Sequence, residues 1–323
     1  MGICYPLSFL LGVCGAWVIN RFGGVLRLMD HPEDRSSHSS PIPKGAGIGI
    51  LATWVLTGLA LSLPLSYWGP PVMVALGGLY GDRVNLSPAI RLGIQFCAAL
   101  ILMTGGGEAW SFWWIPVWVF FLVGSANFYN FMDGIDGLAG MTGVLAFGLL
   151  ALWAASIGTA SLVPALAICL SLSCLGFLPF NFPRAKVFLG DVGSLLLGFV
   201  FATLVFSLSE NWGDLLCLAS FLFPFYADEL TTMAIRLRNG EDLTQPHRRH
   251  LYQILANEKG IPHWRVSLYY GSFQLLVGGS ALWARAFGDW VLLSVLALYF
   301  AGFALVSHQI RSRGLYTVHV QNI

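Results

Sequence analysis

Apolar residues run in long, nearly unbroken stretches along this chain, with polar residues gathered in short bands between them. A hydrocarbon core about 30 Å thick takes roughly 20 mostly apolar residues per helix. Stretches of that kind are centred near residues 11, 55, 75, 97, 119, 146, 169, 197, 223, 274 and 297. The pattern predicts an all-α, polytopic integral membrane protein with about 11 transmembrane helices, the third short and Gly-rich. Lipid cannot satisfy free backbone groups, and the runs are too long and too continuously apolar for barrel strands. No internal repeat, low-complexity tract or linker divides the sequence, so residues 1–323 read as a single transmembrane domain.

Composition narrows the class further. The chain is 56% hydrophobic and 10% charged, with a mean hydropathy of +0.71, against about 45–50% and about 25% in soluble domains. The six cysteines fall inside apolar spans without CxxC spacing and read as core filler. The first apolar stretch lacks a basic segment ahead of it and is followed by Arg21, so it is expected to be a retained helix, not a cleaved signal.

Charge orients the spans. With the N-terminus outside and the C-terminus cytoplasmic, 16 of the 17 Lys and Arg residues fall inside, from Arg21, Arg27, Arg35 and Lys44 to Arg311 and Arg313, and only Arg285 outside. All seven histidines and 12 of the 16 acids share the inner side, the outer four being Glu108, Glu210, Asp214 and Asp289. The external loops are short, so the polar chemistry is expected on the cytoplasmic face, and no nucleic-acid partner is expected.

Four inner segments carry candidate chemistry. Asn127, Asn130, Asp133 and Asp136 lie at the inner end of the fifth span. The two aspartates share a helix face if the helix continues, while Gly134 and Gly137 favour a looser chain. Carboxylates at a membrane boundary meet a cation, line a wet cavity, or simply cap the next helix. In the second segment, from Asn181 to Ser194, Asp191 stands between Gly190 and Gly193 with Arg184 and Lys186 nearby. That pattern suits magnesium shared with phosphate oxygens, or an ordinary helix N-cap.

The third segment, from Gln245 to Gln253, holds His247, Arg248, Arg249 and His250. It predicts a short interfacial helix with Pro246 near its start and Gly260 near its end. It reads as a phosphate clamp or a polybasic contact with lipid headgroups; zinc would need a third ligand that is not nearby. The fourth segment, from Asp30 to Gly47, places Lys44 before small residues that would let it approach a phosphate.

In this order, DRSSHSSPIPKGAG, NFYNFMDGIDGLAG, NFPRAKVFLGDVGSLLLGF and PHRRHLYQ resemble the polyprenyl-phosphate N-acetylhexosamine-1-phosphate transferases, glycosyltransferase family 4, across nearly the whole chain. The PHRRHLYQ form is more similar to enzymes that initiate O-antigen or capsule repeats than to the peptidoglycan translocase. The resemblance implies a bacterial inner-membrane enzyme with its active site facing the cytoplasm. Its reaction would pass N-acetylhexosamine-1-phosphate from a UDP-sugar to undecaprenyl phosphate with Mg2+ or Mn2+, releasing UMP. By motif match, Asp191 would hold the metal; Asp82, Asp133, Asp136 and His250 would join it in catalysis, with Asn130 lining the cleft and Asn181 supporting it. Lys44, Arg249 and His247 would contact substrate.

N-acetylglucosamine, N-acetylfucosamine and N-acetylquinovosamine remain open as donor sugars, as do direct attack versus a covalent intermediate, and a homo-oligomeric state. One position departs from the family. Where the family has two adjacent aspartates after the third span, this chain has Gly81 and Asp82. A catalytically impaired member with a binding or scaffold role is therefore one alternative. An ion-coupled transporter is the other, although its carboxylates would sit at the membrane midplane.

Overall fold

The computed structural model describes residues 2–32, 37–84, 86–105, 112–158, 162–243, 245 and 247–320, without the side chains of 112 and 313–320. Arg35, Glu108, Pro246 and the side chain of Arg313 lie outside the described residues. Helices dominate: α1 (Cys4–Phe22), α2 (Ile48–Ala60), α3 (Leu65–Val84), α4 (Pro88–Gly105), α5 (Ile115–Phe131), α6 (Leu138–Ser156), α7 (Val163–Phe177) and α8 (Asp191–Leu208). They continue with α9 (Trp212–Ala219), α10 (Phe223–Arg238), α11 (Leu251–Gln253), α12 (His263–Arg285) and α13 (Asp289–Val320). Each apolar centre read from the sequence falls within one of these helices. Five of them, α4, α6, α7 with its following turn, α8 and α13, are long and apolar enough to cross a membrane. The chain is a multi-pass helical membrane protein.

The two most apolar extremes have opposite surroundings. In α8, 89% of the span is buried inside the protein; in α13, 11% is. A helix that is apolar all round must be covered by protein or by lipid, so α8 is the central post and α13 a peripheral one. Small residues let neighbours close on α8. A Cβ at Gly198 would lie 2.7 Å from Ala126 Cα of α5, and one at Gly78 of α3 would lie 2.6 Å from the Asp191 carbonyl oxygen. These approaches bring the C-terminal ends of α3 and α5 to the N-terminal end of α8.

The loop between α1 and α2 is stitched onto the same place. Strands β1 (Met29–Asp30) and β2 (Ile42–Pro43) pair antiparallel. The chain then runs beside Phe188: Phe188 N–H donates to Pro43 O at 2.8 Å, and Gly45 and Ala46 N–H donate to Phe188 O at 3.1 and 3.0 Å. Lys44 is thereby fixed next to the start of α8.

The helix expected around the paired histidines is shorter than its pattern suggests. It begins at Leu251, after His250, and continues as a π-helical turn over Ile254–Glu258. The cause lies in α10. The buried carboxylate of Asp228 accepts the N–H groups of Leu251 (2.8 Å) and Tyr252 (3.2 Å), satisfying first-turn donors and fixing the helix start there. Residues 247–250 are left irregular.

Candidate active site

A cavity of about 740 Å3 opens between the C-terminal ends of α3, α5 and α10 and the N-terminal ends of α4 and α8. One wall carries the carboxylates. Asp191 opens α8 after Gly190, whose φ of +76° favours glycine; a Cβ there would also meet Gly45 N at 2.7 Å and Asp82 Oδ2 at 2.8 Å. Asp191 is not the N-cap, which is Gly190. Its two oxygens accept instead from Arg91 (2.6 Å) and Asn130 (2.9 Å), and Asn130 also donates to Ser194 Oγ at 2.8 Å. Asp82 Oδ2 accepts the Val192 N–H at 3.4 Å, a favourable place for negative charge at a helix N-terminus.

Lys44 Nζ lies 3.6 Å from Asp82 and 3.4 Å from Asp30, and His38 Nε2 lies 3.5 Å from Asp30. Asp133 comes from the loop between α5 and α6, so the chain does loosen at Gly134. Burial, reinforced by Asp191, Asp82 and Asp30, pushes the Asp133 carboxyl up to about 8. Carboxylates and cations therefore alternate along this wall, an arrangement suited to a phosphate ligand and a hard cation together.

The opposite wall comes from α10 and α11. His247 and His250 are not successive steps of a helix, yet their rings pack with centroids 4.8 Å apart. Burial, then His250 and Arg236, hold His247 down at about 4. Burial also lowers His250; Asp228 opposes this, while Arg311 and Arg236 add to it. Both imidazoles are neutral at pH 7 and can offer a ring N–H to an anion. Asp228 Oδ2 further accepts from Tyr270 at 2.6 Å, and Arg311 donates to Arg249 O (2.6 Å) and Thr232 Oγ1 (3.1 Å). Helices α12 and α13 thus brace the histidine segment.

Seven of the ten residues singled out in the sequence line the cavity: Lys44, Asp82, Asn130, Asp133, Asp191, His247 and His250. Three do not. Asp136 turns towards His263, with Oδ2 3.3 Å from Nδ1. Asn181 is buried, accepting the Gly137 N–H at 2.8 Å and donating to Val187 O at 2.9 Å, which binds the two main motif loops to each other. Arg249 is half exposed and pairs with Glu241. Sequence reasoning passed over Arg91 and Glu229, which do line the cavity. Arg91 is a lone charge at the start of an apolar run, and Glu229 is half of an adjacent acidic pair with Asp228 inside one; those were the available signals.

Comparison with known proteins follows the same lines. A model of glycosyl transferase family 4 matches residues 65–209. The decaprenyl-phosphate N-acetylglucosaminephosphotransferase of Mycolicibacterium smegmatis is 30% identical, over 77% of this chain and 72% of its own. That of Mycobacterium leprae is 29% identical, over 82% and 77%. The undecaprenyl-phosphate alpha-N-acetylglucosaminyl 1-phosphate transferase of Thermotoga maritima is 29% identical, over 80% and 82%.

Proposed function

Because this chain belongs to the polyprenyl-phosphate N-acetylhexosamine-1-phosphate transferase family, we propose that it moves N-acetylhexosamine-1-phosphate from a UDP-sugar to undecaprenyl phosphate. An oxygen of the lipid phosphate attacks the β-phosphorus of the donor. The bond from that phosphorus to the bridging oxygen breaks, UMP leaves, and undecaprenyl-diphospho-sugar remains. The observation that carries this reading is the single cavity in which Asp82, Asp133, Asp191, Lys44 and Arg91 face His247 and His250. Phosphoryl transfer is mainly positioning and charge neutralisation, which this mixture supplies. A phosphate monoester with a second pKa near 6 is already largely dianionic at neutral pH, so the aspartates need only orient the lipid phosphate.

The carboxylate wall fits a divalent cation. Its donors are oxygens, and Asp133, whose carboxyl is raised first by burial, lies among three other carboxylates that raise it further, a repulsion a cation would relieve. Mg2+ or Mn2+ takes one or two protein carboxylates and shares substrate oxygens, so Asp191 would hold it; among the described residues no three His, Cys, Asp or Glu side chains form a cage. When bound, the ion would neutralise charge on the transferring phosphate. Lys44 and Arg91 meanwhile hold the adjacent carboxylates in place, and the neutral histidines donate to phosphate oxygens. We further propose about 11 passes, an N-terminus outside, a cytoplasmic active site in the bacterial inner membrane, and a role in initiating O-antigen or a related surface polysaccharide.

Gly81 supports a second reading, that of an impaired member that binds without efficient turnover. The position is helical, and a Cβ there would make only ordinary contacts, 3.8 Å from Arg91 Cδ and 3.9 Å from Leu86 Cβ. A Cβ is accommodated there without a clash. Purified protein with lipid acceptor, magnesium and a panel of UDP-N-acetyl sugars separates the readings. The transferase releases UMP only when polyprenyl phosphate is present, whereas an impaired member binds donor without release.

A further inference from the structure

Helix α10 turns one face into the cavity: Glu229, Met233 and Arg236 line it at positions i, i+4 and i+7. Arg236 is already engaged, donating to Asp242 O at 2.5 Å and Gln245 O at 3.1 Å. Glu229 is not. It is 2% exposed, and its Oε2 accepts no hydrogen bond among the described residues. The neighbouring carboxylate shows what a structural acid in this helix looks like, since Asp228 accepts from Leu251, Tyr252, Tyr270 and Thr232. Its basic neighbours are His250, with Nε2 3.5 Å from Oε2, and Arg236, whose charge also acts on it.

A buried acceptor without a donor is costly to the fold and calls for an explanation, such as a ligand that completes it. The chemistry of that ligand is constrained. The free Oε2 is an acceptor, so the group it takes must be a hydrogen-bond donor, which an ionised phosphate oxygen is not. Two carboxylate oxygens suit two neighbouring sugar hydroxyls, and a hydroxyl-reading site discriminates strongly against analogues lacking one.

We propose that Glu229 is a specificity residue that accepts hydrogen bonds from adjacent hydroxyls of the nucleotide-sugar donor. This rests on the transferase reading above. It adds a recognition group to the histidine wall, next to the groups that face phosphate. The hydroxyls belong to the hexose or to the ribose, and the experiment distinguishes the two.

The test is titration of the purified full-length protein with UDP-N-acetylglucosamine and, separately, UMP, for wild type, Glu229→Gln and Glu229→Leu, together with the melting temperature of each. Because the carboxylate has no protein donor on Oε2, both variants are expected to melt at or above the wild-type temperature. They are expected to lose about tenfold or more in affinity for UDP-N-acetylglucosamine. UMP affinity within twofold of wild type assigns the contact to the hexose; an equal loss for UMP assigns it to the ribose. Unchanged affinity for both ligands overturns the proposal. So does a lowered melting temperature or failure to fold in Glu229→Gln, which would make the residue structural. A wild type that binds neither ligand overturns the transferase reading instead.

Discussion

The two walls of the cavity are built in different ways. The carboxylate wall is a set of short motifs held locally: the Lys44 loop stitched by backbone to Phe188, the Gly190 turn, and the α5–α6 loop tied by the Asn181 side chain to the segment before α8. The histidine wall is held by side chains from distant elements. Asp228 of α10 and Arg311 of α13 hold residues 249–252, and Tyr270 of α12 fixes Asp228. The first wall therefore presents charges at fixed places. The second takes its geometry from one buried carboxylate, that of Asp228.

The comparison is broken most severely on the first wall. Asp191→Asn keeps the shape but removes the charge that pairs Arg91 and would hold a cation, so turnover is expected to fall about 100- to 1,000-fold with the melting temperature within a few degrees of wild type. Steady-state UMP release and a thermal melt check both halves; full turnover by this variant in excess chelator would remove Asp191 and the metal from the account. On the second wall the expected damage is to structure. Asp228→Asn weakens four hydrogen bonds to a buried carboxylate, and a loss of about 2–3 kcal/mol in unfolding free energy is expected. Denaturation of the detergent-solubilised protein measures it, and activity should fall in step as residues 247–250 lose their anchor.

Smaller effects sharpen the contrast. Gly81→Asp is expected to raise turnover several-fold, since a Cβ is accommodated there beside Arg91 and a cation would neutralise the added carboxylate; a fall in turnover would show that repulsion with Asp82 dominates. His247 gives the smallest effect and a definite sign. Its pKa is about 4 in the fold against 6.5 unperturbed, so the unfolded chain binds more protons and stability rises with pH between about 4 and 6.5. After discounting for its partial exposure to solvent, the contribution lost on acidification is about 1 kcal/mol. His247→Gln should flatten that part of the stability–pH curve.

The same contrast explains what could be read in advance. Helices and the carboxylate wall were legible because each motif spans under twenty residues and its chemistry is local: glycines around an aspartate, a lysine before small residues. Asp136 and Asn181 share those motifs yet serve other contacts, since a turn of a few residues decides which side chain faces the cavity. The histidine wall was half legible. His247 and His250 announced themselves, but the helix they were expected to join starts later, because Asp228, more than twenty residues upstream, caps it at Leu251. Nothing near Arg311 or Tyr270 in the sequence marks them as partners of that carboxylate.

The central claim is that the sugar leaves with one phosphate. It is tested most directly by following two labels, one on each phosphorus of a UDP-N-acetyl amino sugar, during incubation with undecaprenyl phosphate and magnesium. The account predicts that the β-phosphorus label enters the lipid fraction together with the sugar while the α-phosphorus label appears in UMP. A β label that stays in UDP while the sugar alone reaches the lipid would contradict it.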